Sequence, residues 1–467
     1  MRPRLPMLAL VLLAALPATP SAAVAGLQVD GPLTFHAAPG QVLDLGPLGS
    51  YRGTVEIRRA GGGLTVVNQL DLEEYTLGIR EVPGMWPMEA LKAQAIAART
   101  YALWEKQGGR HAPNGFDICP TDACQVFRGA QLPDGEPGAR WAEAVRATAG
   151  QVLLHDGAPA LTRYHASSGG RTLPNHVVYP GSPPRPYLMG IDDPDDAVSP
   201  MHRWTADFPR DVLEALLRAE LGFAEPMTSV RVEGSTAVIE LEGAEPRTIA
   251  LSALRTSFNS RAPQMFGDRY PGPRSDGQRL PSTIPSPRFT VEAYEGGFRF
   301  NGRGWGHGVG MSQWGAKGRA DRGQTAAQIL GAYYGGLQPQ PWTGDATIRV
   351  GALPQGSQAR VSSSGPVTVG GTPEQIWSEA TGEWLVRPGP GRTLVVDGPA
   401  LPPPPTPEPT PVPEVWERAA SRSTTRLAAA PAGPAARSSR TGLMALAALL
   451  AAGASIAAQG DIRPRKT

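Results

Sequence analysis

The chain has 467 residues, of which 41% are hydrophobic, and this is enough for two or three packed domains. Its formal net charge of +2 at pH 7 is nearly balanced, so the composition excludes nucleic acid as the expected partner. The 56 glycines and 49 prolines exceed the usual share and predict many turns and at least one unstructured stretch.

Residues 1–25 are predicted to be a signal peptide. Two arginines precede an apolar run from Met7 to Leu16, and small residues follow up to an A-x-A site at 23–25. This order is typical of an export signal that is cut near Ala25. The alternative is an uncleaved anchor, although the apolar run is shorter than a membrane span. We therefore expect an exported, extracytoplasmic protein.

Residues 26–70 are predicted to form short β-strands. The stretches "TVEIRR" and "LTVVNQ" are rich in β-branched residues and flank the turn "AGGG". Asp71 then precedes Glu74 by three residues, a capping-box arrangement that predicts the start of a short helix.

Glu81 is predicted to lie in a loop between two helices. Pro83 disfavours helical backbone at the residue before it, so the first helix ends within "REVPGMWP". Partial burial beside Pro83 and Trp86 would raise the pKa of the carboxyl and make it a general acid near neutral pH. The alternative is a solvated helix end or a cap.

The stretch "MEALKAQAIAARTYALWEKQ" predicts a helix with a stripe of small residues suited to close packing. The stripe consists of Leu91, Ala95, Ala98 and Ala102. Lys92 and Arg99 are two turns apart and are predicted to project from one face, roughly 10 Å from each other.

Cys119 and Cys124 enclose a gap of four residues. The gap is wider than a CxxC zinc knuckle but short enough for a local disulfide in an exported protein. Zinc would need two further ligands, for which His111, His165 and His307 are available. A disulfide, free thiols and a zinc site are the alternatives.

The stretch "YHASSGGRT" combines His165 and the hydroxyls of Ser167 and Ser168 with a Gly-Gly turn. It lacks the G-x-S-x-G elbow of a serine nucleophile, so we predict a polar binding loop.

Residues 206–298 are predicted to be an inserted α/β subdomain. The stretch "RDVLEALLRAEL" has helical periodicity, whereas "TSVRVEG" and "TAVIELEG" alternate as paired strands do.

Glycine occupies every second position from Gly302 to Gly310. This period predicts a strand whose glycine face admits another backbone or a flat ligand. The opposite face would carry Arg303, Trp305, His307 and Val309. Ser312 is predicted to cap a following helix. The spacing matches neither GxGxxG nor a Walker loop, which excludes a phosphate-binding loop, and a packed core strand is the alternative.

Four segments complete the chain. Residues 345–400 are predicted to form a small β-rich module. Residues 401–441 form a proline-rich linker, whose "LPPPPTPEPTPVPE" would reach on the order of 40 Å in the polyproline conformation. Residues 442–458 lack charge and predict either a short transmembrane helix or a detached amphipathic tail. The basic tail 459–467 would then lie in the cytoplasm.

Together these stretches resemble the SpoIID/LytB family, named after stage II sporulation protein D. The resemblance runs from about Tyr51 to Gly336 through four ordered motifs, "LDLEEYTLGIREVPGMWPMEALKAQAIAARTYAL", "FDICPTDACQVFRG", "YHASSGGRT" and "GRGWGHGVGMSQWGAKGRADRGQTAAQILGAYYGG". It implies an α+β fold with a SpoIID-like catalytic domain over 71–340, preceded by the 26–70 strands. It also implies a lytic transglycosylase that cleaves peptidoglycan glycan strands after an N-acetylmuramoyl-L-alanine amidase has removed their stem peptides.

The resemblance makes Glu81 the catalytic residue, and Lys92 and Arg99 match basic residues of the family's helix motif. A hydrolase usually needs two carboxylates, whereas one suffices if the sugar's own C6 hydroxyl attacks and leaves a 1,6-anhydro end. Lys92 and Arg99 would then hold the lactyl carboxylate of the peptide-free glycan. Further residues expected to bind the glycan are Trp86, Arg128, His165, Ser167, Ser168, Arg303, Trp305, His307 and Gln313.

Some members of the family have a histidine just before the second cysteine and bind zinc with that cluster, but this position is Ala123 here. We therefore expect no cofactor. Two other functions stay open: a non-catalytic wall-binding protein that enhances an amidase, and a zinc hydrolase built on His165, His307 and the cysteines. The resemblance does not imply sporulation.

Overall fold

A computed structural model describes residues 23–274, 276–371 and 376–399. Residues 1–22 of the predicted signal peptide, the predicted proline-rich linker, the 442–458 segment and the basic tail lie outside these residues. Within them, helices and sheets occur together, which confirms the α+β class. None of the helices in these ranges combines the length and the apolar character that a membrane crossing requires.

The described chain begins and ends with runs of strands, and its helices lie between them together with further strands. The strands are β1 (Ala23–Asp30), β2 (Leu33–Ala37), β3 (Leu43–Asp44), β4 (Ser50–Tyr51), β5 (Thr54–Ala60), β6 (Gly63–Asp71), β7 (Gln151–His155), β8 (Ala158–Pro159), β9 (Tyr164–His165), β10 (Trp204–Pro209), β11 (Met227–Glu233), β12 (Thr236–Leu241), β13 (Ala244–Ala250), β14 (Phe289–Tyr294), β15 (Gly297–Gly302), β16 (Met311–Ser312), β17 (Pro339–Pro341), β18 (Thr347–Gly356), β19 (Ala359–Gly370), β20 (Ile376–Pro388) and β21 (Thr393–Pro399). The helices are α1 (Leu72–Leu77), α2 (Met88–Gly108), α3 (Glu136–Ala147), α4 (Asn175–Val178), α5 (Arg210–Leu221), α6 (Leu251–Phe266), α7 (Gln313–Asp321) and α8 (Ala326–Tyr333).

One large antiparallel sheet joins the strands of both ends of the described chain. Its order is β1-β21-β20-β19-β2-β5-β6-β18, with β3 paired to β19 and β4 paired to β3. Residues 345–400 are therefore not a separate module, because β19 pairs with β2 and β18 pairs with β6. Every second residue of these strands points inward. Inward residues such as Val361 are buried in the same core as Val55 and Ile57, which joins the two parts of the chain in one sheet.

Strand β1 includes residues 23–25, which were assigned to the signal peptide. These residues face the last residues of β21, and the pairing continues from Leu27 opposite Val396 to Asp30 opposite Thr393. A chain cut after Ala25 therefore keeps the second part of this pairing.

Helix α2 forms the centre of the larger core. Its small residues are buried as predicted and let α3, α7 and α8 pack closely on it. Asp71 caps the preceding helix α1 by accepting a hydrogen bond from the Glu73 amide at 2.8 Å. Residues 78–87 join α1 to α2, so Glu81 lies in the loop where the sequence predicts it.

A second group of buried residues forms between residues 201 and 300. The predicted helix is α5, and the predicted strand pair is β11 and β12, in which Val230 faces Ile239. Helix α6 packs on the same group through Leu254 and Phe258.

The glycine-alternating stretch is not a strand beyond Gly302, where β15 ends. Gly304, Gly306, Gly308 and Gly310 have φ values of +77°, +97°, +79° and +71°, which a regular strand does not allow. The predicted close approach does occur, since a Cβ on Gly310 would lie 2.0 Å from the Arg163 carbonyl oxygen. Ser312 caps α7 as predicted, accepting from the Gly315 amide at 3.1 Å.

Candidate active site

A cleft of about 690 Å³ brings several predicted residues together. The predicted residues on its walls are Glu81, Trp86, His165, Trp305, His307 and Gln313. Six further residues that were not predicted line it as well: Asp122, Arg163, Tyr164, Tyr179, Arg255 and Trp314. Of these six residues, only Asp122 had a signal in the sequence, because its carboxylate lies between the two cysteines. Nothing in the sequence around Arg255 indicates a cleft.

The Glu81 carboxyl is held in place by hydrogen bonds to one of its two oxygens. Its Oε1 accepts from the Val126 amide at 2.6 Å and from the Tyr164 hydroxyl at 3.3 Å. Burial raises the pKa of this carboxyl, and the two hydrogen bonds offset only part of that rise. Because Oε2 has no hydrogen-bond partner among the described residues, it is the oxygen left to carry an acid proton.

A buried hydrogen-bond chain fixes Tyr164 behind Glu81. The Tyr164 hydroxyl accepts from Gln125 Nε2 at 2.8 Å, and the Tyr75 hydroxyl donates to Gln125 Oε1 at 2.7 Å. Gln125 Nε2 also donates to the Ala98 carbonyl of α2 at 3.2 Å. The carboxyl of Glu81 is therefore positioned from the core of the molecule.

The two cysteines form a disulfide, with a Cα–Cα distance of 5.5 Å. The loop they close carries Asp122 and Ala123 to the cleft, shortly before the Val126 amide that holds Glu81. The bridge therefore shapes the segment that anchors the Glu81 carboxyl.

The donor set does not fit zinc. Within the described residues, the group that could hold a metal is His111, Cys119 and Cys124, and His111 Nε2 lies 3.4 Å from Cys124 Sγ. Both sulfurs are bonded to each other, so neither is a thiolate ligand. The zinc hydrolase built on His165 and His307 is wrong in its ligand set, since neither imidazole belongs to this group.

The two imidazoles lie side by side, with ring centroids 5.4 Å apart. Burial lowers the pKa of His165 well below its ordinary value and that of His307 to about 3, so both rings are neutral at pH 7. His165 Nδ1 lies 3.1 Å from the Val309 carbonyl oxygen, which requires Nδ1 to donate. Its buried Nε2 is then an acceptor, and it has no partner among the described residues.

Three indole rings border the cleft. Trp86 and Trp314 contact each other with ring centroids 4.9 Å apart. Trp305 is held by backbone hydrogen bonds to Ser167 in both directions, at 2.8 and 3.0 Å. Flat apolar rings beside hydrogen-bonding groups are suited to a sugar.

Arg99 and Lys92 do not line the cleft, which corrects their assignment to the glycan carboxylate. The Arg99 side chain is 0% exposed and pairs with Glu73 at 2.7 Å. Lys92 pairs with Glu89 at 2.7 Å near the start of α2. The helix is tightly packed on the side of Arg99, so that guanidinium joins α2 to α1 and α3 instead of reaching solvent.

Arg99 is therefore expected to stabilise the fold. Arg99→Met leaves the Glu73 carboxylate without its ion pair and should lower the free energy of unfolding by about 3 kcal/mol. Lys92→Met, on the same helix but partly exposed, should change it by less than about 1 kcal/mol. Urea unfolding measures both, and equal effects would contradict a buried structural role for Arg99.

Ser167 and Ser168 also lie outside the cleft walls, because a buried carboxylate holds them. Asp196 is 0% exposed and binds the turn from both of its oxygens. Its hydrogen-bond donors are Ser167 Oγ at 2.9 Å, the Ser168 and Gly169 amides at 2.8 Å, Ser312 Oγ at 2.8 Å and His202 Nδ1 at 3.0 Å. Asp196 thus joins the turn to the start of α7, while the Ser168 hydroxyl donates to a second buried carboxylate, Asp193 Oδ2, at 2.8 Å. Both hydroxyls are bonded inside the protein, so the structure does not bring them to the cleft as predicted.

Arg303 and Arg128 are exposed and are not among the residues of the cleft wall. Arg303 contributes its carbonyl oxygen, which accepts from Ser286 Oγ at 2.6 Å. Arg128 lies close enough for its charge to favour the ionised form of Glu81, although burial has the larger effect on that pKa.

Comparison with known proteins confirms the resemblance noted from the motifs. Residues 60–155, which hold Glu81, α2 and the disulfide, match the SpoIID family, described as stage II sporulation protein. The chain is 29% identical to stage II sporulation protein D of Bacillus subtilis over 58% of this chain and 75% of that protein. It is 29% identical to an uncharacterised protein of Brachyspira hyodysenteriae, over 62% of this chain and 71% of that one. An amidase enhancer of Bacillus subtilis is 26% identical, over 55% of this chain and 38% of its own length.

Proposed function

Because the chain is related to the SpoIID/LytB family, we propose that it is a lytic transglycosylase that cleaves peptide-stripped peptidoglycan strands and leaves 1,6-anhydro ends. The observation that carries the proposal is the Glu81 carboxyl, which lies partly buried at a sugar-sized cleft, has a raised pKa and is anchored through one oxygen. A raised pKa favours the protonated form of the carboxyl, which is the form that a general acid needs.

In the proposed reaction Glu81 acts first as an acid and then as a base. Its proton passes to the glycosidic oxygen while the bond from C1 to that oxygen breaks. The C6 hydroxyl of the same sugar then bonds to C1, and its proton returns to the Glu81 carboxylate. The Val126 amide and the Tyr164 hydroxyl stabilise the carboxylate between the two steps. No water is consumed.

The neutral imidazole of His165 supports the same function. Its ring belongs to the cleft wall and carries no charge at pH 7, so it can lie beside the uncharged hydroxyl and acetamido groups of a sugar. Trp86, Trp305 and Trp314 offer ring faces for the sugar planes. The proposal places the protein outside the cytoplasm at the cell wall, with an N-acetylmuramoyl-L-alanine amidase supplying the substrate.

Asp122 raises a second candidate reaction, because it is another carboxylate at the cleft. Two carboxylates are the usual equipment of a glycoside hydrolase. Asp122 is exposed, whereas Glu81 is partly buried and hydrogen-bonded, so the structure favours a single proton-transferring group.

Mass analysis of the products tests the proposal. Incubation of the full chain with peptide-free glycan strands should release fragments that are each lighter by one water molecule than a hydrolysis product. Fragments that have gained one water molecule and carry an ordinary reducing end would instead indicate hydrolysis. Binding without any product would indicate the non-catalytic role suggested by the relative named amidase enhancer.

A further inference from the structure

Two cationic side chains at the cleft lack a paired carboxylate within the described part of the chain. Arg163 lies directly before β9, Arg255 lies on α6, and both line the cleft. Among the described residues no carboxylate lies within 4.0 Å of either guanidinium, whereas other partly buried arginines such as Arg349 have one.

Both guanidinium groups are held in place by contacts to uncharged groups. Arg163 Cζ lies 4.0 Å from the centroid of the Tyr179 ring, and its buried Nε has no partner among the described residues. Arg255 Nε donates to the Pro285 carbonyl oxygen at 3.1 Å. The charge of Asp122 favours the ionised form of Arg255, although burial has the larger effect on that pKa. The contacts therefore fix the direction of each cation without forming an ion pair.

The two cations converge on the same part of the cleft. Tyr179, under Arg163, has its ring centroid 6.0 Å from that of His307. Besides burial, the charges of both Arg163 and Arg255 lower the pKa of His307. Arg163 and Arg255 come from different parts of the sequence, but both lie near His307 in the cleft.

Partly buried cations without a paired carboxylate favour an anionic ligand, and a planar carboxylate matches the guanidinium fork. In a glycan strand, the lactyl group of muramic acid is such a carboxylate once the stem peptide is gone, and is a neutral amide while the peptide is attached. We propose that Arg163 and Arg255 bind this free carboxylate and thereby select peptide-free strands. The inference rests on the proposed substrate and replaces Lys92 and Arg99 in that role.

A pair of ligands that differ only at the lactyl group tests the inference. Calorimetry with the full-length Glu81→Gln variant compares a peptide-free GlcNAc-MurNAc tetrasaccharide with the same compound after its carboxylates are converted to methylamides. We expect the acid to bind about tenfold to a hundredfold more tightly than the amide. Arg163→Gln and Arg255→Gln, each added to this variant, should remove most of this ratio by weakening acid binding alone.

Arg247→Gln is the matched control, since Arg247 is exposed on β13, outside the cleft wall. It should keep the full ratio. The inference would be overturned if the Glu81→Gln variant bound the acid and the amide equally well. It would also be overturned if the arginine substitutions weakened the binding of both ligands to the same extent. If Arg163→Gln does not fold, Arg255→Lys and Arg255→Gln decide the matter, because only the second removes the charge.

The two proposals fail separately. A protein that prefers the acid but yields no anhydro product from glycan strands supports the arginine site and rejects the transglycosylase. A protein that yields anhydro product but binds acid and amide equally keeps the transglycosylase and rejects the arginine site.

Discussion

Glu81→Gln is expected to slow the proposed cleavage of peptide-free glycan by about a hundredfold to ten-thousandfold, the usual contribution of a general acid. The amide has the same shape, and its oxygen can still accept from the Val126 amide and the Tyr164 hydroxyl. It has no acid proton to give. Reducing-end and anhydro-end analysis of the products by mass measures the loss, and the affinity for the glycan should change little.

Folding stability separates this chemical effect from damage to the fold. The pKa of Glu81 is raised in the folded state, so its protonation stabilises the fold fully below the unfolded pKa, and that stabilisation is lost as pH rises through the folded pKa. Above that pH the ionised carboxylate lowers stability, and Gln removes the buried charge. The variant should therefore be at least as stable as the parent in alkaline buffer.

Asp122→Asn is the matched control for Glu81, since it removes the other carboxylate of the cleft. The transglycosylase mechanism predicts a change of less than about tenfold, because Asp122 transfers no proton in it. A loss as large as that of Glu81→Gln, with products of full reducing-end mass, would favour a hydrolase.

Asp196→Ala is expected to have the largest effect on stability. The substitution leaves the Ser167 hydroxyl and the Gly169 amide buried without an acceptor. It also leaves the Ser168 amide and the Ser312 hydroxyl only their longer hydrogen bonds, of 3.3 and 3.5 Å. Loss of a fully buried charged partner costs about 3–5 kcal/mol, which is a large share of the stability of an ordinary domain. Activity should fall too, because the turn holds Trp305 through the Ser167 backbone. Guanidinium unfolding measures the change.

Asp192→Ala provides the comparison in the same loop. Asp192 is 79% exposed and pairs with the exposed Arg171, so its loss should change stability by less than about 1 kcal/mol. Ser312→Ala removes a single hydrogen bond to Asp196 and one cap, which should cost about 1–2 kcal/mol. If all three variants were equally stable, Asp196 would not be the anchor of the turn.

The sequence predicted the elements whose signals are local. Asp71 as a cap and the small residues of α2 act over a few positions, and the structure has both in place. The first helix, in contrast, already ends at Leu77, before the break that Pro83 predicted. The position of Glu81 followed from the same signals, since a break between two helices leaves few places for it.

The features that escaped prediction depend on residues far apart in the chain. Arg99 looks like a surface residue by its period, but Glu73 and the α3 backbone enclose it. Arg163 and Arg255 are brought together by packing between parts about ninety residues apart. From Gly304 to Gly310 the period of two arises from alternating positive φ values, which a pattern of residue types does not distinguish from a pleated strand.

The pairing of β1 with β21 also constrains how the chain folds. Leu27 must meet Val396, so the large sheet cannot close until almost the whole of the described chain has been synthesised. Until then β2 and β19 leave open edges on which a second nascent chain can pair. We therefore expect the protein to refold slowly when it is diluted out of denaturant, and chaperones to raise the yield.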